Sequence, residues 1–106
     1  MKVETALTEI HHFAIPVNDL KGTVAYYLDN FQCTVEYQDE TWALLAFANI
    51  KLAFVMPHQH PPHLAIVVNN AESYGPLKTH RDGTKSVYIK DPSGNSIEIM
   101  APLSSS

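Results

Sequence analysis

The stretch His12-Phe13-Ala14-Ile15-Pro16-Val17 has a counterpart about fifty residues later, His63-Leu64-Ala65-Ile66-Val67-Val68. Each sets a histidine at the head of an apolar run of strand length, five residues ahead of a valine. Side chains on a strand alternate between faces. His12 therefore shares a face with Ala14 and Pro16, and His63 with Ala65 and Val67. Phe13, Ile15 and Val17 point the other way, as do Leu64, Ile66 and Val68. Two strands that each place an imidazole beside small residues read as one unit used twice.

After the first of these strands, Leu20, Val24, Tyr27, Leu28 and Phe31 recur at three- and four-residue spacing, which predicts a helix from Leu20 to about Phe31 with one apolar face. Asp19 or Asn18 is its expected N-cap, and Gly22 weakens its first turn. Strand-like runs follow over Cys33–Gln38, Thr41–Ala48 and Ile50–Met56, separated by the turn-type residues Asp39-Glu40 and Asn49. Pro57-His58-Gln59-His60-Pro61-Pro62 then interrupts regular structure, since three prolines in six residues fit no helix or strand. The His63 strand opens the second half, followed by a short, poor helix around Gly75 and Pro76. Lys85–Lys90 and Asn95–Met100 are strands joined by the turn Asp91-Pro92-Ser93-Gly94. The second half thus repeats the first with a shorter helix and one strand fewer, and a tail is expected from Ala101 to Ser106.

At 106 residues, with 45% hydrophobic and 17% charged, the chain has the size and make-up of one globular domain, not of a disordered segment. A net charge of −4 with only seven scattered Lys and Arg leaves no footprint for nucleic acid or an anionic membrane. Cys33 is the only cysteine, so no internal disulfide forms and a cytoplasmic, reducing setting is expected. No apolar run has the length of a membrane span, and residues 1–9 carry no signal-peptide core.

Six histidines direct attention to metal or proton chemistry. On the last strand, Ser96, Glu98 and Met100 share a face opposite Ile97 and Ile99. His12, His63 and Glu98 are then two imidazoles and a carboxylate on separate strands of a duplicated unit. That is the donor set of a facial triad, which binds a divalent metal and leaves coordination positions open. Taken singly, each of the three reads more readily as a solvated or core-satisfied polar residue than as a ligand. His11 must face away from His12; His58 and His60 read as solvated linker residues, and His80 as surface. Trp42 and Phe47 lie on opposite faces of one strand, so one of them lines a cup or both fill core.

The chain resembles the vicinal oxygen chelate superfamily, which includes glyoxalases, extradiol dioxygenases, methylmalonyl-CoA epimerases and fosfomycin- and bleomycin-resistance proteins. The residues that carry the resemblance are His12 through Leu20, Tyr26-Tyr27, His63 through Val68, and the most specific block, Asp91-Pro92-Ser93-Gly94-Asn95-Ser96-Ile97-Glu98. It spans about Ile10 to Met100. It implies an α+β glyoxalase/dioxygenase-like fold of paired βαβββ modules in a single domain, module one about 10–57 and a shortened module two about 62–100. It places metal ligands at His12, His63 and Glu98. The fourth ligand of glyoxalase I enzymes aligns with Ala53, or with Lys51 in another register, and neither suits that role. This points away from methylglyoxal detoxification and towards a three-ligand centre like that of the dioxygenases, with Fe2+ favoured over Zn2+, Ni2+, Mn2+ or Co2+. Tyr88 falls where ring-cleaving relatives keep a tyrosine that hydrogen-bonds substrate. The expectation is a metal-dependent dioxygenase-, lyase- or isomerase-type enzyme acting on a small molecule with vicinal oxygens, as a homodimer whose second subunit completes the cup. The alternative is a non-catalytic binding protein like the bleomycin-resistance proteins.

Overall fold

In the computed structural model, which describes residues 7–102, the two histidine-headed runs form β1 (Glu9–Pro16) and β5 (His63–Val67). They pair antiparallel at the centre of one eight-stranded sheet. On one side of this pair lie β4 (Lys51–Val55), β3 (Trp42–Ala46) and, at the edge, β2 (Thr34–Gln38). On the other side lie β8 (Ser96–Met100), β7 (Lys85–Lys90) and the edge strand β6 (Lys78–Thr79). β4 runs parallel to β1, and β8 runs parallel to β5. Each half follows the same path, with its last strand returning to lie beside its first, and this is the expected paired βαβββ arrangement.

Module two is shortened, but not by losing a strand. The two-residue β6 keeps the strand count, while the helix is reduced to a 3-10 turn at Ala71–Tyr74. Gly75, at φ 149°, and Pro76 stop that turn from growing. From 103 onward, the expected tail lies outside the described residues.

The helix α1 (Leu20–Asn30) starts at Asp19, whose extended backbone and Oδ1, accepting from the Gly22 amide at 3.0 Å, form the N-cap. A Cβ at position 22 would stand 2.2 Å from Asp19 Oδ2. The glycine that weakens the helix by propensity is therefore what lets its cap close. The helix buries Leu20 and Val24, flanked by Tyr27, against Ala43, Leu45 and Phe54 of β3 and β4. Leu28 and Phe31, expected on the same stripe, stay largely exposed, so the buried stripe is narrower than the periodicity implies.

The opposite face of these strands holds a second cluster, Ala14, Leu44, Ala53 and Val55, flanked by Tyr37 and Trp42. Phe47 packs on the helix side and Trp42 on the other, stacked on Tyr37 with ring centres 4.5 Å apart. No helix among the described residues is long and apolar enough to cross a membrane.

Asp39 organises the β2–β3 turn. Its carboxylate accepts from the Tyr37 hydroxyl at 2.6 Å, the Thr41 amide at 2.7 Å and the Trp42 amide at 3.1 Å. It also pairs with Arg81 of the β6–β7 loop at 3.0 Å, tying module one to module two. Burial alone would raise its pKa, but the hydrogen bonds from Tyr37, Thr41 and Trp42 outweigh that and hold it at about 2. An unfolded aspartate titrates near ~3.9. The stabilisation from this ionised group is thus complete above about pH 4 and is lost as pH falls towards 2. Asp39→Asn should be less stable than the parent at pH 7, with the gap shrinking between about pH 4 and 2. Urea midpoints measured across that range check this; a gap constant with pH would mean the charge is irrelevant.

Candidate metal centre

β1, β5 and β8 are adjacent, and their register brings inward-facing residues level: His12 opposite Ala65, and Ala65 opposite Glu98. Ala65 is fully buried and offers only a methyl group, so the flanking imidazole and carboxylate can close over it. His63 reaches the same point from the head of β5. Nε2 of His63 lies 2.9 Å from Glu98 Oε1 and 3.2 Å from Nε2 of His12, which is itself 3.4 Å from Oε1. The three side chains are 5–8% exposed. Their candidate ligand atoms all fall within 4.8 Å of one another, a group able to hold a metal ion.

The atoms facing away from this point are also engaged. Nδ1 of His63 donates to the Pro61 carbonyl at 2.9 Å, which leaves Nε2 to face Glu98. Nδ1 of His12 contacts Nδ1 of His11 at 2.7 Å. Ser86 Oγ, buried on β7, donates to Glu98 Oε2 at 2.7 Å, and His80 Nε2 lies 2.5 Å from the same hydroxyl. Burial by itself would raise the Glu98 pKa, but hydrogen bonds from His12, His63 and Ser86 prevail and hold it well below the usual carboxylate range. Glu98 is thus an anion with one oxygen tied back and the other offered to the imidazoles. Two histidines with outer hydrogen-bond partners and one oriented carboxylate fit a divalent first-row ion.

Tyr88 stands opposite Glu98 on β7, its ring edge-on to His63 with centres 5.1 Å apart. Burial first, then the Glu98 charge, push its phenol above the ordinary tyrosine value, so it stays protonated and can donate. A cavity of about 490 Å³ opens over this group, walled by Trp42, Leu44 and Val55 from module one and Pro76, Val87 and Met100 from module two. That volume suits a small organic molecule.

Several histidines lie differently from the sequence expectation. His11 does not face away from His12. A bulge between Ile10 and His12 turns both imidazoles inward, where both are buried, while Ile10 and Phe13 on either side point outward and are exposed. His80 is only partly exposed and reaches inward to Ser86, and His60 is half-buried on the cavity wall, 3.5 Å from Thr41 Oγ1. His58 is exposed and outside the cavity, as expected. Ser86 was missed, although alternation from Tyr88 would have put it on the same face of β7.

The duplication also accounts for the number of candidate ligands. Ala65, two residues after His63, pairs with Glu98; Ala14, two residues after His12, pairs with Ala53. Ala53 is thus the counterpart of Glu98 in module one, and it has no donor. Lys51 lies opposite His12, with its ammonium 2.9 Å from Glu36 Oε1.

No family model and no curated protein matches the sequence. Solved structures do match in fold. A methylmalonyl-CoA epimerase from Mycobacterium tuberculosis is 18% identical, with 97% of this chain and 94% of that one covered and a TM-score of 0.73. A hypothetical protein from Bacillus halodurans C-125 gives 12%, 93%, 97% and 0.71 in the same order. A glyoxalase/bleomycin resistance protein/dioxygenase superfamily member from Vibrio splendidus 12B01 gives 12%, 91%, 100% and 0.66. The chain has the fold of these proteins, in line with the resemblance carried by its motifs.

His12→Ala, His63→Ala and Glu98→Ala should each abolish retention of a divalent ion, whereas His58→Ala and His60→Ala should leave it intact. Elemental analysis after metal loading and gel filtration reads this directly. Equal loss from the two linker variants would place the site elsewhere.

Proposed function

We propose that this chain is a metal-dependent enzyme acting on a small molecule with two adjacent oxygens, with His12, His63 and Glu98 holding the ion. Iron(II) is the first candidate, ahead of zinc, nickel, manganese or cobalt. One observation carries the reading: Nε2 of His63 and Oε1 of Glu98 face each other at 2.9 Å while the His63 Nδ1 proton is committed to Pro61. With Nδ1 so engaged, only Nε2 faces Glu98, and a contact this short needs positive charge between the two groups, which a proton on Nε2 or a divalent ion taking its place supplies. Three ligands leave open positions, which a substrate with vicinal oxygens can occupy.

A divalent ion there would supply Lewis acidity to adjacent substrate oxygens, and redox chemistry if it is iron. The protein's own groups supply the rest. Trp42, Leu44 and Val55 keep water from one side of the substrate. The Tyr88 phenol, held protonated, donates a hydrogen bond where negative charge develops on a substrate oxygen. Ser86 keeps Oε2 of Glu98 turned away, so that a single oxygen is presented. A homodimer is part of this reading; with all three donors on one chain, a partner would shape the cavity wall and leave the ligand set unchanged.

A second reading, non-catalytic capture of a small molecule, draws on the Trp42 wall, which is backed by Tyr37 and can hold a planar ligand without metal. The two readings part under chelation. A binder keeps its ligand affinity after metal removal and in Glu98→Ala; the enzyme loses both binding and turnover.

The assay loads the protein anaerobically with Fe2+, then follows oxygen uptake with catechols and deuterium wash-in beside the carbonyl of 2-oxo and 3-oxo acids. Turnover with one class is expected, absent in Glu98→Ala, and Tyr88→Phe should lower kcat roughly 100-fold without changing metal content. Failure to bind any divalent ion near one per chain would remove the mechanism.

A further inference from the structure

We propose that His11 is a positioning residue: it fixes the tautomer of His12 and so aims the His12 Nε2 lone pair at the metal centre. The inference rests on the metal-site reading above, and a loss of affinity in His11 variants is distinguishable from a parent that binds no metal. A regular strand would carry His11 to the outer face beside Ile10 or Phe13. The bulge instead spends one extra residue of β1 to bring His11 inward, against His12.

The two Nδ1 atoms are 2.7 Å apart, so one proton lies between them. For His12 to present a lone pair at Nε2, towards His63 and Glu98, its proton must sit on Nδ1, and His11 Nδ1 must accept it. The remaining proton of neutral His11 is then on its Nε2. That nitrogen is the buried side-chain polar atom without a hydrogen-bond partner among the described residues. Leaving that group unpaired costs free energy, which the contact with His12 must offset. The unpaired N–H is what remains when His11 spends its acceptor on His12. An outer partner that holds a ligating histidine in one tautomer typically changes metal affinity 10–100-fold.

The test uses the full chain with His11→Leu and His11→Asn. In the Zn2+-loaded parent at pH 8, 15N NMR of the imidazoles should show His12 protonated at Nδ1, with the downfield proton shift of a hydrogen bond to His11. In Zn2+-loaded His11→Leu that proton should lose its acceptor and its downfield shift. Titration with Co2+, followed by calorimetry and visible absorption, should show His11→Leu weakened roughly 10–100-fold. His11→Asn, whose Oδ1 can accept from His12, should recover most of the loss. A packing role would instead lower Tm in both variants and leave the Nδ1 proton shift and the Co2+ affinity unchanged. An absent Nδ1 hydrogen-bond signal in the loaded parent, or His11→Leu binding Co2+ within about twofold of it, overturns the proposal while the metal reading stands. If the parent takes up neither Zn2+ nor Co2+, the metal reading falls and the positioning with it.

Discussion

The convergence of two imidazole nitrogens and a carboxylate oxygen on one buried point dictates much of what surrounds it. An imidazole lone pair and a carboxylate oxygen 2.9 Å apart repel unless a cation lies on or between them. The protein holds them there by engaging their far sides, Pro61 against His63, His11 against His12 and Ser86 against Glu98. The proline-rich segment between the modules is therefore more than a spacer. With its backbone restricted by three prolines, it fixes the carbonyl that decides which nitrogen of His63 carries the proton.

The two modules have diverged in complementary ways. Module one keeps the full helix, which covers Phe54 and Leu45, but carries Ala53 where module two carries Glu98. Module two keeps the carboxylate and reduces its helix to four residues. Scaffold strength and candidate chemistry have thus separated between halves that share one path through the sheet. The modules meet across the β1–β5 pair, where each contributes one imidazole, and again through Asp39 and Arg81.

Period-two alternation set the faces of His12, His63 and Glu98 on their own strands, because β5 and β8 are regular and β1 is regular beyond its bulge; that the three belong together, with Tyr88 beside them, followed from the resemblance and not from spacing. His11 escaped the same reasoning because a bulge breaks alternation and no residue type announces it; Ile10 and Phe13, both outward-facing around two inward histidines, show it only once the pairing is known. His80 was unreadable for another reason. It sits in a loop beyond the two-residue β6, and a contact with Ser86 across that loop has no period to betray it. The helix was legible in extent, ending at Asn30, but its exposed Leu28 and Phe31 show that spacing fixes a face without fixing how much of it is covered.

The sheet ends asymmetrically, and this bears on how copies of the chain can meet. A long, flat edge strand offers unpaired amides and carbonyls to any neighbour and invites polymerisation. Here one margin is only two residues long, Lys78-Thr79, and the other is interrupted by an irregularity between Val35 and Tyr37 beside the Glu36–Lys51 ion pair. Both margins are poor templates for adding another strand. The fold thus disfavours association by strand addition, the route by which exposed sheet edges template aggregation.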